Sequence, residues 1–487
     1  MAASVSTTTK SAAIRSRLNH PIIDSDGHTV EFSPALHDYL VKVGGKSLAD
    51  RFKGGVGRGL GGGWYRLRPE ERLERRSMRP PWWALPTKNT LDRATSTLPK
   101  LLHERMDQFG LDFTVLYPTL GLFAPHLDDE EMRRGACRAY NLFHSELFSE
   151  FSDRMTPVAA IPMHTPGEAL EELDYAIGKL KMKGIMMPGH VRRPVPAAAR
   201  IAPDAARWAF WIDNLAVDSQ YDYDPVWAKC LELGVAPTFH SGGMGWGSRT
   251  SVNNYMYNHI GHFASAGEAT CKAMFMGGVT RRFPTLKFAF LEGGVGWACN
   301  LYADLIGHWL KRNRNGMENY NPANLDRQQY AELCRRYGTR VVQERLPALT
   351  ASGDALAGTK EDPAMIDEWA AAGITRPEDI RDRFVPNFYF GCEADDPMNA
   401  WAFNAKVNPL GARLHAIFSS DIGHWDVPDM TEVTEEAYEL VERGMITDTD
   451  FRDFVFTNPA RLWTAMNPDF FKGTAVEEAV RKLDTQI

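Results

Sequence analysis

Asp24, Asp26 and His28 occupy alternate positions in PIIDSDGH, at the end of a short apolar run, with Glu31 just beyond. Alternate side chains of an extended chain leave the same face, so two carboxylates and an imidazole are expected to point one way. Other apolar runs end similarly: His240 in APTFHS, Glu292 in LKFAFLE and Asp421 in HAIFSSD. Asp26, His28, His240, Glu292 and Asp421 are oxygen and nitrogen donors of the kind that hold a divalent ion such as Zn, Mn or Fe. Glu292 is the most telling, because a carboxylate closing an apolar strand is costly without a metal or another cation. Asp24 reads as a turn residue or as a partner that orients His28.

Such donors need a scaffold that gathers strand ends. Eight runs read as strands: 21–26, 113–118, 157–162, 184–188, 236–241, 286–292, 387–392 and 415–421. Helical patterns fall between most of them, as at 224–234 and at 166–181, where Ala169, Leu170, Leu173, Ala176, Ile177 and Leu180 form a helix-spaced stripe. The alternation predicts an α/β fold with a parallel sheet, and eight strands predict a (β/α)8 TIM barrel with its active site at the C-terminal strand ends.

The expected organisation is a flexible N-terminal tail (1–20), one barrel domain (21–470) and a C-terminal helix or tail (471–487). Two insertions interrupt the barrel. Residues 307–385, largely helical by pattern, fall between barrel strands six and seven. Residues 33–92 carry GGVGRGLGGG (54–63) and RPPWW (79–83); they look too polar for a core and are expected to cover the barrel mouth or reach a partner subunit. GVGRGLG (55–61) has GxGxxG spacing but no flanking strand and helix, so no nucleotide site is expected there.

Composition narrows the partners. The 487 residues carry a net charge of −7, which gives no basic face for nucleic acid. No run of eighteen apolar residues exists to span a membrane, and the first twenty residues hold no apolar stretch like a signal peptide. Six scattered cysteines without a CxxC pair read as reduced and mostly buried, in a cytoplasmic protein. The expected ligand is a small molecule.

At these residues the chain resembles the amidohydrolase-related family, a branch of metal-dependent TIM-barrel hydrolases and decarboxylases. The resemblance runs through IIDSDGHTVEF (22–32), DQFGLDFTVLYPT (107–119), DPVWAKCLELGVAPTFHSGG (224–243), GGVTRRFPTLKFAFLEGGVGW (277–297), FSSDIGHWDVPD (418–429) and FTNPARLW (456–463). It implies that Asp26 and His28 are the first-strand metal pair, that His240 is the fifth-strand ligand, and that Asp421 touches the metal and moves a proton. Asp421, His240 and His424 are then the catalytic candidates. Glu292 stands where many members have a histidine, and a set this rich in carboxylates fits one or two ions per chain. Strand four ends MMPGH, with Lys183 ahead of the strand, so a bridge between two ions would fall to Glu292, Asp421 or water. His190, beside Arg192 and Arg193, is placed to meet an anionic substrate; His262, with its neighbour His259, is a candidate to line the pocket. Trp297, Trp425 and Trp246 suggest aromatic walls.

The leading expectation is hydrolysis of a small carboxylate-bearing or aromatic substrate by metal-activated water. Non-oxidative decarboxylation is the alternative; further ones are a dinuclear Fe or Mn oxygen-activating enzyme and a barrel subunit supporting one. Fold analogy suggests a homo-oligomer, or a hetero-oligomer with a related barrel chain.

Overall fold

The computed structural model describes residues 9–57, 63–81, 87–205, 208–352, 362, 365–424 and 426–484. Among the described residues there are ten strands: β1 (Ile23–Thr29), β2 (Phe113–Pro118), β3 (Met155–Ala160), β4 (Gly184–Met187), β5 (Val191–Pro194), β6 (Phe210–Asp213), β7 (Pro237–Phe239), β8 (Phe288–Phe290), β9 (Phe388–Glu393) and β10 (His415–Ser419). Eight of them pair in parallel in the order β1-β2-β3-β4-β7-β8-β9-β10. These are the eight expected strands, in a nearly closed (β/α)8 barrel. Their residues are almost all buried, as in a sheet covered by helices outside and packed side chains inside.

The first and last strands meet at a seam. Asp421 N–H donates to the Asp26 carbonyl at 2.9 Å, and His28 N–H donates to the Ile422 carbonyl at 2.8 Å. Beneath these bonds lies Asp24, fully buried. Its carboxylate accepts from Thr114 Oγ1 on β2 (2.6 Å) and from Ser420 N and Oγ after β10 (2.9 and 2.7 Å). Asp24 therefore ties β1 to both neighbours, and does not orient His28. The cause is a register shift against β2 between Asp24 and Gly27, a bulge that breaks simple alternation. Gly27 permits it: a Cβ there would lie 2.7 Å from Asp24 Oδ2 and 2.8 Å from Thr114 Oγ1.

Other expectations change for physical reasons. Residues 10–17 form a helix rather than a flexible tail, with Ser11 and Ile14 buried. In the first insertion, the helix Ser33–Gly57 places Leu36, Leu40, Leu48 and Phe52 in the core, so this part is not too polar to pack. Leu48 closes on Gly135 of the helix Glu130–Leu147, where a Cβ would lie 2.6 Å from its Cδ1. Farther on, the segment does reach the mouth: Arg79 N–H donates to the Ser251 carbonyl (3.0 Å), in the loop after β7. Residues 58–61 of the Gly-rich motif, and Trp82 and Trp83, lie outside the described residues. The second insertion is largely helical, with helices including Arg327–Tyr337 and Pro377–Phe384. The expected helix over 166–181 is α-helical only to Leu173 and continues as a π-turn. At the C-terminus, the helix Glu477–Asp484 follows buried Val476 and buries Val480 and Leu483.

The antiparallel pair β5–β6 was not expected. Val191 and Arg193 are buried in alternation with exposed residues, and the Arg193 guanidinium meets Asp213 Oδ2 at 2.7 Å across the hairpin. With further bonds to the His164 carbonyl and Tyr223 hydroxyl, both at 2.9 Å, each of its three nitrogens is engaged. Arg193 is thus a buried ion-pair residue rather than a loop cation awaiting substrate.

Asp24→Ala would leave two hydroxyls and two backbone N–H groups without their acceptor at the seam. The expected loss of unfolding free energy is about 3–5 kcal/mol, measured by urea denaturation; a loss below about 1 kcal/mol would show that the seam does not depend on Asp24.

Candidate metal centre

Four of the five sequence-identified donors lie near or just past the C-terminal ends of their strands, and Asp26 lies at the middle of β1. Asp26 and His28 belong to β1, His240 directly follows β7, and Glu292 and Asp421 lie two residues past β8 and β10. All are buried, with Glu292 the most exposed at 6%. Glu292 and Asp421 have φ of +56° and +51°, a left-handed backbone uncommon outside glycine. Such conformations persist where surrounding structure over-determines them, as at ligand clamps. For Asp421 the constraint is its own N–H, bonded back to Asp26; the next turn needs Gly423, at φ +92°, where a Cβ would meet the His28 carbonyl at 2.7 Å.

The side chains converge. His28 Nε2 lies 3.1 Å from His240 Nε2, 3.3 Å from Asp421 Oδ1 and 3.6 Å from Asp26 Oδ1. His240 Nε2 lies 3.0 Å from Glu292 Oε2 and 3.8 Å from Asp26 Oδ1. Donors about 2.1 Å from a common ion, at tetrahedral or octahedral angles, sit roughly 3.0–3.4 Å apart, close to this spacing. Asp26 supplies the fit test: both its carboxylate oxygens are buried and accept no hydrogen bond from the described residues. An orphaned, fully buried carboxylate facing two imidazoles fits a divalent cation.

Sequence reasoning placed His424 near the pocket; the structure brings it into the cluster. Its Nδ1 lies 2.8 and 3.0 Å from the two oxygens of Asp421 and 3.6 Å from Glu292 Oε1. Its ring stacks on His28 with centroids 3.6 Å apart. Burial pushes the carboxyls of Asp26 and Asp421 well above the usual range, with Glu292 adding repulsion to both. His424 is held well above its ordinary value because Asp421 and Glu292 outweigh its burial.

The substrate-side candidates are spread around this centre. His190 is buried, edge-on to Trp246 (4.8 Å between centroids) and 5.1 Å from His126. It adjoins the centre through Gly189, whose N–H donates to Ser241 Oγ, next to His240, at 2.6 Å. His262 lies against the backbone of Gly242, where a Cβ would come within 2.5 Å of its Nδ1, and its ring is 4.6 Å from that of His259. Burial depresses His190 well below its ordinary value and His262 to about 3, so both are neutral donors or acceptors. Trp297 packs edge-on against Phe290 and Phe390. Trp425 lies outside the described residues. Arg192 reaches the Met244 carbonyl at 3.3 Å, and Lys183 points to the Phe470 carbonyl at 2.7 Å, away from the donors.

Sequence reading missed several neighbours. The Tyr117 ring sits 6.3 Å from that of His28 and 5.7 Å from that of His240, with its hydroxyl bonded to Thr238; its signal was a polar-tipped residue ending an apolar strand. Burial raises Glu393, at the end of β9, to about 8, aided by Asp426 and Glu292. His126 had no motif to announce it.

Burial and the charge of Glu292 raise the carboxyls of Asp26 and Asp421, so a cation binding here competes with protons. The stabilisation given by Mn²⁺ is therefore expected to grow as pH rises from 6 to 8, measured as the difference in Tm between Mn²⁺-loaded and chelator-treated protein. A gap that shrinks with pH would contradict this ligand set.

The family model described as amidohydrolase matches residues 83–335. No curated protein matches the chain. Among solved structures, 5-carboxyvanillate decarboxylase from Sphingomonas paucimobilis is similar at 13% identity over 91% of this chain and 98% of that one, with a TM-score of 0.50. An amidohydrolase from Mycobacterium avium subsp. paratuberculosis K-10 matches at 16% identity over 92% and 98%, also with a TM-score of 0.50. A dihydroxybenzoic acid decarboxylase from Polaromonas sp. JS666, solved with manganese and 2-nitroresorcinol, matches at 15% identity over 93% and 99%, with a TM-score of 0.48. At such identities the likeness speaks to the fold. The family match spans more than half of the chain, and the protein belongs to the amidohydrolase family.

Proposed function

We propose that the protein is a metal-dependent hydrolase of small organic substrates in which Asp421 moves the proton. The observation that carries this reading is the position of Asp421 between the donor cluster and His424: Oδ1 lies 3.3 Å from His28 Nε2, while both oxygens meet His424 Nδ1. Asp26, His28, His240 and Asp421 would hold a divalent ion, which would supply Lewis acidity toward a scissile carbonyl and an attacking water. Asp421 accepts the proton of the attacking water and delivers it to the leaving nitrogen or oxygen. His424 orients that carboxylate, and burial keeps bulk water from diluting the effect of each charge. His190 and His262 are assigned to the polar groups of the substrate, with Trp297 as a wall.

Non-oxidative decarboxylation is the second reading, favoured by the decarboxylases of this fold. There Asp421, with His424, would instead protonate the carbon that loses carbon dioxide. Turnover in H₂¹⁸O/D₂O separates the two. Hydrolysis puts one solvent oxygen into product; decarboxylation releases carbon dioxide and puts solvent deuterium on carbon.

Asp421→Asn is expected to lower kcat by about 10²–10⁴-fold, the span of a lost general base, with most of the bound metal retained. Wild-type turnover by this variant would sink the proposal.

A further inference from the structure

We infer that the protein has a further ligand site, a pocket for a small oxyanion at the base of the barrel seam, at the other end of the strands from the metal donors. A cavity of about 410 Å³ lies there, and its lining includes Arg17, Asn19, His20, Tyr438, Asp448 and Arg452. That volume suits a small molecule. Separate stretches of chain meet in it: helix Lys10–Arg17, the turn into β1, helix Val433–Glu442 and helix Asp448–Arg452.

The cations of this pocket are unspent. Among the described residues, neither the Arg17 nor the Arg452 guanidinium has a carboxylate within 4.0 Å. Arg452 Nε is buried without a hydrogen-bond partner, and a buried donor left unmade is costly. Arg17 lies 5.9 Å from the centre of the Tyr438 ring, a contact that leaves its in-plane N–H groups free. Surrounding charges are already answered, Arg15 by Asp112 and both Glu435 and Glu442 by Lys10. Asp448 is the only carboxylate that the described residues bring to the lining, and its Oδ1 accepts from the Tyr438 hydroxyl at 3.3 Å.

Two guanidiniums against one carboxylate make the cavity positive. A phosphate or carboxylate group presents acceptors at the spacing of guanidinium N–H groups. A place in the last turn of a helix suits a cation, and both arginines have one, but that leaves the buried Nε of Arg452 without an acceptor. The ligand class is therefore a small organic acid or a phosphate ester.

Such a ligand would touch the elements that start both seam strands. His20 directly precedes Pro21 and the entry to β1, and its ring stacks on Phe456 with centroids 6.0 Å apart. Arg452 leads into a π-turn, Asp453–Thr457, a geometry that recurs at functional sites. That turn packs Phe454 on Phe418 of β10, 5.8 Å between centroids, and the next residue, Asn458, donates to the Ala416 carbonyl at 2.9 Å. An oxyanion shared by Arg17 and Arg452 thus ties the entry to β1 to the packing beneath β10. The site stands apart from the metal-dependent reading above.

Full-length protein as purified is titrated calorimetrically with inorganic phosphate and, separately, with benzoate. Saturable binding of at least one is expected, weakened about tenfold or more by Arg17→Gln and by Arg452→Gln, with metal content unchanged. Arg452→Lys, which keeps the charge without the fork, is expected to fall between. Loss confined to phosphate or to benzoate supports the site and identifies the group it takes. Arg17 is exposed, so its variant tests the pocket even where Arg452→Gln fails a folding check by circular dichroism. Wild-type affinity for both anions in Arg17→Gln, or no saturable binding of either anion by the wild type, would overturn the proposal.

Discussion

Asp26, Glu292 and Asp421 cannot be held together as buried anions without a positive partner. Each is 6% exposed or less, and at these separations in a weakly screened interior like charges repel strongly. In the metal-free protein His424, held above its ordinary value by Asp421 and Glu292, answers part of the repulsion. A cation relieves it and creates the chemistry. The left-handed backbone at Glu292 and Asp421 lies where the chain turns just past β8 and β10.

What holds the carboxylates in place is the closure of the barrel. Asp24 works one layer below the donors, anchoring β1, β2 and the turn before Asp421 through neutral hydroxyls and backbone N–H groups. Two nearby aspartates of one strand therefore have opposite surroundings. Asp24 is fully satisfied by donors; Asp26 has none among the described residues. This contrast separates the structural carboxylate from the candidate ligand, though both are equally buried.

Much of this was legible in the sequence. Apolar strands that end in Asp, His or Glu are conspicuous because burial makes such endings expensive; four of the eight apolar runs end so, and the eight runs together marked a barrel. The donors that the structure brings together were named from that pattern. What escaped notice depended on partners distant in sequence. Arg193 looked available to an anionic substrate because Asp213, which neutralises it, lies on the paired strand β6, which has little apolar signal. The helix Ser33–Gly57 looked polar because its apolar residues are split by a break at Gly45, φ +76°. The bulge at Gly27, which gives Asp24 and Asp26 different tasks, depends on pairing with β2 and is invisible in β1 alone. His424 was found through family likeness rather than local pattern, since a histidine three residues past a strand has no periodicity to report it.

The distribution of donors along the chain also sets an order of events in synthesis. The first lie on β1 and the last beyond β10, so nearly the whole barrel separates them in sequence while a few ångströms separate them in space. Contacts of such long range form only after the intervening chain has been brought together. A nascent chain emerging from the ribosome can thus present Asp26 and His28 early, but it has no complete cage for an ion until the final strand has been made and docked. Metal capture belongs to the end of folding, and the ion acquired reflects the compartment in which the finished barrel closes.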